Sequence, residues 1–345
     1  MTPSVRKSLY FLFVLLFVAG DLNATPKKLV CSTEAPKGSL HVTALEKFSE
    51  RVETYSKGQL TTQNHFIGNP GFPNIRGEET NMNMVMYGTI PPGSSTSINC
   101  TIIASGNASR IASILDFLLL PYIFPDTAAA ERLLFSDYML RDINKIIAER
   151  HSVRAVGWLI GGYRHLTNSK KPITTLDDIQ GLRIRTPQNR LMMATYLSFG
   201  ARVTPLAWSK TFDALKQEIV DGQENPYSVI VEAEFWKANQ KYVTNNGPFL
   251  YTAPILINEQ FYQSLSPELQ AVVNKAGLET SRFALLWSLQ QRDIFKETME
   301  KQGMKILNLD DKSKWIQASQ HIWTENYANT PEKKEILKRV LEVLQ

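Results

Sequence analysis

Short apolar runs alternate with amphipathic stretches through the first part of the chain. Residues 29–32, 60–66 and 98–104 have the length and composition of strands, whereas residues 41–56 and 78–87 predict helices. In the stretch 41–56 the apolar residues recur with the 3.6-residue period of a helix that buries one face. Strands that alternate with helices in this way predict parallel sheets covered by helices.

The same alternation continues through the middle of the chain. Strands are predicted at residues 155–159, 181–186, 201–204 and 251–258, and helices at residues 191–199 and 211–220. Two segments rich in Gly, Pro and Ser, residues 68–77 and 91–97, predict loops.

The last third of the chain has a different pattern. A helical periodicity begins at Pro267 and continues to about residue 301, with a weak interruption at Gly277. At 1.5 Å per residue this helix would be about 50 Å long, which is enough to run across two lobes. A strand at residues 304–309 follows, and from Asp311 to the end the pattern is helical.

The N-terminus has the three-part layout of a secretory signal peptide. Arg6 and Lys7 precede an apolar run at residues 9–19, and Ala24 ends a small-residue cleavage site. The alternative is a membrane anchor, but a spanning helix needs about 20 apolar residues, and this run is shorter. We therefore expect residues 1–24 to be removed and the mature protein to be periplasmic.

Composition and net charge limit the kinds of molecule that the protein is expected to bind. The chain has 345 residues, 43% of them hydrophobic and 21% charged, as in ordinary soluble proteins. The net charge of +5 is spread along the chain without the basic blocks that bind nucleic acid. We expect no nucleic-acid partner, a weak preference for anionic small molecules and a monomeric protein.

Two cysteines, Cys31 and Cys100, lie in strand-like runs. In an oxidising compartment such a pair favours a disulfide. Neighbouring strands often hold cysteines in the wrong geometry for a bond, however, and free cysteines are commonly buried. Both interpretations stay open at the level of sequence.

Motifs for catalysis and for metal binding are missing from the sequence. The five histidines have no metal-ligand spacing, and there is no nucleophile elbow or phosphate-binding glycine loop. Neither cysteine has the surroundings of a nucleophile. The sequence therefore predicts no catalytic residues, no metal and no cofactor.

One arginine is well placed to bind a ligand. Arg185 ends a predicted strand just before Thr186 and Pro187, and ligands of open α/β sheets lie beyond the carboxyl ends of strands. Its planar guanidinium can hold a carboxylate through two parallel hydrogen bonds. The alternative is an ordinary surface arginine. Likewise Trp208 can be a cleft wall or core, and Asn225 can cap a helix that begins at Pro226.

Taken together, these segments resemble the DctP-type solute-binding proteins of tripartite ATP-independent periplasmic (TRAP) transporters. The resemblance covers residues 29–327 and is most specific in two runs, GLRIRTP at 181–187 and VDGQENP at 220–226. The run LPYIF at 120–124 is also similar to the family's sequence. Residues 68–97 depart from the family pattern, with 91–97 resembling an insertion.

The resemblance implies roles for eight residues. Arg185 would fix a ligand carboxylate, Arg164 would be a second ligand arginine, and Asn225 would bind the same carboxylate. Trp208 and Gln188 would line the cleft. Contacts to the distal end of the ligand would come from Glu34, Ser105 and Asn107. The implied partners are a small organic acid and the membrane permease subunits of the transporter.

The implied fold is a two-lobed α/β clamshell with a long helix spanning both lobes. We expect residues 25–161 and about 251–290 in lobe I, and residues 162–250 and about 291–345 in lobe II. Two alternative functions stay open. An exported sensory binding protein would have the same cleft, and a periplasmic enzyme acting on an organic acid would need an acid–base pair or a nucleophile.

Overall fold

The computed structural model describes residues 26–68, 77–88 and 97–345. The predicted signal peptide, residues 1–24, lies outside the described residues, as does most of the predicted loop sequence at 68–77 and 91–97. In the part of the chain that is described, no helix combines the length and apolar character needed to cross a membrane.

The described residues form nine strands. They are β1 (Lys27–Pro36), β2 (Leu60–Ile67), β3 (Cys100–Ile102), β4 (Val153–Asn168), β5 (Arg183–Thr186), β6 (Arg202–Pro205), β7 (Gly222–Pro226), β8 (Tyr242–Asn258) and β9 (Lys305–Leu307).

Thirteen α-helices lie in the same residues. They are α1 (Leu40–Tyr55), α2 (Glu78–Tyr87), α3 (Ser105–Ile111), α4 (Thr127–Leu134), α5 (Asn144–His151), α6 (Leu176–Ile179), α7 (Arg190–Ser198), α8 (Trp208–Lys216), α9 (Tyr227–Glu232), α10 (Glu259–Gln263), α11 (Pro267–Lys301), α12 (Lys312–Ser319) and α13 (Pro331–Leu344).

All nine strands belong to one sheet with the order β2-β1-β3-β8-β4-β7-β5-β6, and β9 pairs with β8. The strands at the two ends run parallel to each other, β1 with β2 and β3, and β5 with β6 and β7. The two long strands at the centre, β4 and β8, are antiparallel. The sheet therefore has two parallel halves joined by a central antiparallel pair.

The two central strands connect the halves of the sheet. Strand β8 pairs with a further strand at each of its ends, and β4 pairs with one at its C-terminal end. The C-terminal end of β8 pairs with β3 and its N-terminal end with β9. Similarly, the C-terminal half of β4 pairs with β7. The β4–β8 register shifts between Ile160 and Tyr163, which is where the predicted lobe boundary at 161/162 falls. The lobe boundaries themselves stay a prediction, and α13, which we assigned to lobe II, packs against α4.

Most predicted elements are present, and the differences have identifiable causes. Both long strands are underpredicted, since only their apolar halves at 155–159 and 251–258 have a strand pattern. The predicted helix at 211–220 is wrong at both ends, because α8 begins at Trp208 and ends at Lys216. The helix from Asp311 onward is also interrupted, by a turn of π-helix at Trp323–Tyr327.

The two cysteines form a disulfide. Cys31 of β1 lies directly opposite Cys100 of β3 in the parallel pair, and their Cα atoms are 4.3 Å apart. The bond closes a sequence separation of 69 residues and lies in the buried face of the sheet. Of the two interpretations that the sequence left open, the structure has the disulfide.

The long helix α11 is continuous through Gly277, so the predicted interruption there is wrong. The glycine instead allows the helix to touch the sheet, because a Cβ at Gly277 would lie 2.0 Å from the carbonyl oxygen of Val156. A Cβ at Gly157 would lie 2.6 Å from the carbonyl oxygen of Gly277. Ser281 strengthens this contact by accepting a hydrogen bond from the Trp158 amide at 2.8 Å.

We predict that Gly277→Ala destabilises the protein although alanine is the better helix former. Overpacking at such a contact costs about 1–3 kcal/mol, which exceeds the gain in helix propensity of about 1 kcal/mol. Urea unfolding should therefore show a lower free energy of unfolding. Gln290→Ala, at an exposed position of the same helix, is the control and should change it by less than about 0.5 kcal/mol. A more stable Gly277→Ala variant would contradict the close contact.

Candidate ligand-binding site

A cavity lies where the two halves of the sheet meet. It is lined from one half by residues of β1, α1 and α3 and from the other by residues of β5, α8 and α9. The space not occupied by protein atoms is about 850 Å³, part of it open to solvent.

Arg185 lies at the end of β5 and lines the cavity, although its side chain is almost fully buried. Its Nε and Nη2 donate hydrogen bonds to the carbonyl oxygen of Leu206, at 3.1 and 2.7 Å. It forms no ion pair within the described chain, and its Nη1 has no hydrogen bond there. Burial, followed by repulsion from Arg164, lowers the pKa of Arg185 to about 9, although Glu224 and Glu78 oppose the shift. The cavity therefore contains a buried cation that has no acidic partner among the described residues.

Arg164 of β4 also lines the cavity, but it has a protein partner. Its Nε donates to Oε2 of Glu224 at 2.5 Å, and its Nη2 donates to Oε1 and to the carbonyl oxygen of Glu224, both at 2.9 Å. The Glu224 side chain is fully buried. Burial opposes the charge on Arg164, but the carboxylate of Glu224 outweighs it and raises the pKa of Arg164.

Asn225 and Trp208 extend the same wall of the cavity. Asn225 is buried on β7, where its Nδ2 donates to Gln223 and retains a second amide hydrogen. It does not cap a helix, because the N-cap of α9 is Pro226. Trp208 begins α8, packs edge-on against Phe235 and lies 5.9 Å from the Arg185 guanidinium. This wall thus combines a cation, an amide and an aromatic ring.

The opposite wall comes from the first half of the sheet. Glu34, Ser105 and Asn107 all line the cavity, as we expected from the sequence. Ser105 shares a hydrogen bond of 2.7 Å with Thr252, and Asn107 donates from its Nδ2 to Glu78. Seven of the eight predicted site residues are therefore brought together around one space.

The eighth residue, Gln188, lies elsewhere. It is exposed and is not among the residues that line the cavity. The strand ends at Thr186, and the chain then turns into Asn189, whose side chain caps α7 through hydrogen bonds from the amides of Leu191 and Met192. Gln188 therefore lies outside the lining of the cavity, and its predicted contact with the ligand stays a prediction.

Several residues of the site were missed by the sequence reasoning. Glu224 lies inside the VDGQENP run, but nothing in the run marks this residue as the partner of Arg164. Glu78 and Glu232 line the cavity from α2 and α9, and burial raises the pKa of each to about 7. His41 also lines the cavity and hydrogen-bonds Tyr251 at 2.8 Å, and burial lowers its pKa to about 4.

Comparison with known proteins identifies the family. The sequence model described as bacterial extracellular solute-binding protein, family 7 (DctP), matches residues 31–330. The chain belongs to this family. It is 24% identical over 346 residues to the 2,3-diketo-L-gulonate-binding periplasmic protein of Escherichia coli, covering 99% of this chain and 98% of that protein.

Solved structures of TRAP periplasmic solute-binding proteins have the same fold. A TRAP periplasmic solute-binding protein from Rhodobacter sphaeroides, in an open form without ligand, is 26% identical and covers 92% of this chain and 100% of that chain, with a TM-score of 0.78. One from Chromohalobacter salexigens with bound D-glucuronate is 19% identical, covers 91% and 99% of the two chains, and has a TM-score of 0.82. The predicted two-lobed α/β clamshell is confirmed.

Among the described residues, no three His, Cys, Asp or Glu side chains are placed to hold a metal ion.

We predict that Glu224→Ala lowers the free energy of unfolding by about 3–5 kcal/mol, because it leaves the buried charge of Arg164 without a partner. Removing both charges with Arg164→Met and Glu224→Leu should restore much of this loss, since a buried ion pair is often replaceable by apolar groups. Urea unfolding measures both. Glu297→Ala, from an exposed ion pair with Lys301, is the control and should change stability by less than about 1 kcal/mol. Equal losses in Glu224→Ala and the control would contradict a buried pair.

Proposed function

We propose that this protein is the periplasmic solute-binding subunit of a TRAP transporter. In this proposal it binds a small organic acid through the carboxylate and delivers it to the membrane permease subunits. The ligand is bound and released without chemical change. The observation that carries the proposal is Arg185, a buried cation that lines the cavity and pairs with no described carboxylate.

The physical argument begins with the cost of burying a charge. An isolated buried cation is unfavourable unless it is paired and hydrogen-bonded. Here a backbone carbonyl takes two of the Arg185 hydrogen bonds, and this orients the guanidinium without neutralising it. A ligand carboxylate would supply the missing charge, and Asn225 could donate a further hydrogen bond to it. Trp208 would cover one face of the ligand.

Arg164 has a different role in this proposal. Its carboxylate partner is already present in Glu224, so its charge is balanced before any ligand arrives. It lines the cavity, and its Nη1 can donate two more hydrogen bonds, but its principal effect is to hold β4 and β7 together at the site. We therefore assign the anchoring of the carboxylate to Arg185.

The ligands of two relatives support the proposal that this protein binds a small organic acid. The Escherichia coli protein is named for binding 2,3-diketo-L-gulonate, and the Chromohalobacter salexigens protein was solved with D-glucuronate. Both compounds are carboxylates with polar groups along their length. A ligand of this kind could contact both walls of the cavity and so bind the closed arrangement of the lobes better than an open one.

We predict that Arg185→Ala abolishes ligand binding, measured as the melting shift of the mature protein against a panel of organic acids. A ligand at 100 times its dissociation constant stabilises the wild type by about 2.7 kcal/mol, which is a shift of a few degrees. The matched control is Arg183→Ala. Arg183 is on the same strand, but it pairs with Asp221 outside the cavity lining and should leave the shift intact.

Three other outcomes of this experiment would lead to different conclusions. A shift that persists in Arg185→Ala would place the anchor elsewhere in the cavity. Loss of the shift in both variants would indicate damage to β5 rather than to the anchor, and the uncharged Arg185→Met variant, which keeps an unbranched apolar stem, would then separate the two. If no acid raises the melting temperature of protein that is folded and free of ligand, the proposed function is wrong.

We also predict that ligand affinity falls as the pH rises above about 9. Burial sets the pKa of Arg185 to about 9 in the empty protein, and the carboxylate binds the protonated form. Above that pH the protein must regain a proton to bind, so affinity should drop by up to about tenfold per pH unit. Isothermal titration from pH 7 to 10 measures this, with melting curves to show that the protein stays folded. Constant affinity over this range would show that Arg185 stays protonated up to pH 10.

A further inference from the structure

A second cavity lies between the central strand β4 and the long helix α11. It is lined by residues 125–127, by β4 around Gly162, by the first turn of α9 and by α11 from Leu285 to Phe295. Its space not occupied by protein atoms is about 900 Å³, part of it open to solvent, which is close to the 850 Å³ of the candidate site.

This second cavity and the candidate site are on opposite faces of β4. Tyr163 and His165 line the second cavity, whereas Arg164, which lies between them, lines the candidate site. Successive residues of a strand point to opposite faces of the sheet, so β4 separates the two spaces. Ser228 lines both of them. A molecule in the second cavity would therefore contact the immediate neighbours of Arg164.

The second cavity is also placed where the two halves of the sheet are joined, and we call it the hinge cavity. Gly161 and Gly162 line it, and the β4–β8 register shifts between Ile160 and Tyr163. On its other side, α11 packs against α1 of one half and against α9 of the other. A change in the relative position of the halves would therefore change the shape of the hinge cavity. An occupant would bind one arrangement of the halves better than another and so favour it.

Aromatic rings make up much of the described lining of the hinge cavity. Tyr163 and His165 come from β4, Tyr227 from α9 and Phe295 from α11. The rings of His165 and Tyr227 have their centroids 4.8 Å apart. Aromatic rings attract one another beyond the effect of the area that they bury. The lining therefore favours a molecule with an aromatic ring.

The charged residues of the described lining are Asp126 and Arg292, which are exposed and opposite in sign. Asp126 is the N-cap of α4, and Nε of Arg292 donates to Asp293 at 3.0 Å. Burial, followed by the charge of Lys312, lowers the pKa of His165 to about 3, so its ring is neutral at physiological pH. Because removing a charge from water is unfavourable without a partner, the lining favours an uncharged molecule.

His165 has hydrogen-bonding capacity that the described residues do not use. Its Nδ1 is buried without a hydrogen-bond partner among them, and its Nε2 has none among them either. This leaves Nε2 as the ring nitrogen for a molecule in the hinge cavity. A neutral imidazole has one donor and one acceptor nitrogen. A hydroxyl group can donate or accept, so it can pair with Nε2 in either tautomer.

We propose that the hinge cavity is a regulatory site for a small uncharged phenol, whose hydroxyl group binds His165 and whose ring packs among Tyr163, Tyr227 and Phe295. Its occupant favours the arrangement of the two halves that is described here. The phenol would thus act on the candidate site from the opposite face of β4. This inference does not depend on the proposed function, because it involves neither Arg185 nor an organic acid.

The first test compares p-cresol with toluene, which differ only by the hydroxyl group. Dissociation constants are measured by NMR titration of the isotope-labelled mature protein at pH 7, with no organic acid present. We expect p-cresol to bind about fivefold more tightly than toluene, because it gains one hydrogen bond. Equal affinities, or no binding of either compound, would overturn the inference.

The second test locates the bound molecule. Crystals of the mature protein are soaked with 4-bromophenol, and the bromine atom is found by its anomalous scattering. We expect one bromine between β4 and α11, beside His165. A bromine in the candidate site beside Trp208, or only on the surface of the protein, would overturn the inference.

Variants identify the contacts. His165→Phe keeps an aromatic ring but removes the ring nitrogens, and it should abolish the preference for p-cresol over toluene. Leu289→Ala should weaken both compounds by about threefold, because it removes apolar contact from a residue of the lining. Its matched control is Leu286→Ala, on the same helix, also exposed and outside the lining, which should leave both affinities unchanged.

The two leucine variants keep the inference testable if His165→Phe does not fold. Both positions are exposed, with 44% of Leu289 and 58% of Leu286 accessible to solvent, so neither substitution should unfold the protein. Equal effects of Leu289→Ala and Leu286→Ala would show that the compounds bind elsewhere. A preference for p-cresol that persists in folded His165→Phe would overturn the assigned hydrogen bond.

The regulatory effect is measured as a change in the distance between the halves. Spin labels are attached at Glu46→Cys on α1 and Lys210→Cys on α8, two exposed positions, while the native cysteines are paired in the disulfide. Double electron–electron resonance then gives the distribution of distances. Saturating p-cresol should narrow this distribution toward the distance in the structure described here. An unchanged distribution with p-cresol bound would overturn the regulatory role.

Discussion

The antiparallel pairing of β4 with β8 is the constraint on which the rest of the structure depends. At one end of this pair, β8 is hydrogen-bonded to β3, which is followed by α3 and is linked to β1 by the disulfide. At the other end, β4 is hydrogen-bonded to β7, which in turn pairs with β5. The residues that line the cavity come from both ends, so their positions relative to one another are set by the register of two strands. A one-residue slip would turn alternate side chains to the other face and would separate Arg164 from its neighbours.

The two arginines of the cavity are both buried, but only one of them has an acidic partner among the described residues. Arg164 is balanced by Glu224 on the neighbouring strand, and this pair joins β4 to β7 in the folded protein. Arg185 is equally buried, but its nearest acceptor is a backbone carbonyl. Removing a charge from water is unfavourable in both cases. In the first case the protein itself compensates the cost, and in the second case we propose that a ligand carboxylate does.

The pattern of apolar residues was sufficient to predict helices and strands whose buried residues recur with a simple period. The bounds of α2 and α11 agree with the sequence pattern, and the two arginines and Asn225 line the cavity, as expected from the sequence. The C-terminal half of β4 and the N-terminal half of β8 were missed because buried polar residues such as Thr167 and Thr244 interrupt their apolar pattern. Glu78 and Glu232 were missed for another reason. Each is an ordinary helix glutamate in sequence, and only tertiary packing brings the two to one space.

The order of strands in the sheet also has a consequence for folding during synthesis. Cys100 of β3 lies opposite Ile257 of β8, and Ile102 lies opposite Ile255. Neither half of the sheet is therefore encoded by a continuous stretch of chain, and a nascent polypeptide has no complete half until β8 has been translated. Such non-local pairing is slow, because the chain must close long loops before the contacts form. A chain that ends before β8 lacks the central strand pair and cannot form either half of the cavity in its native arrangement.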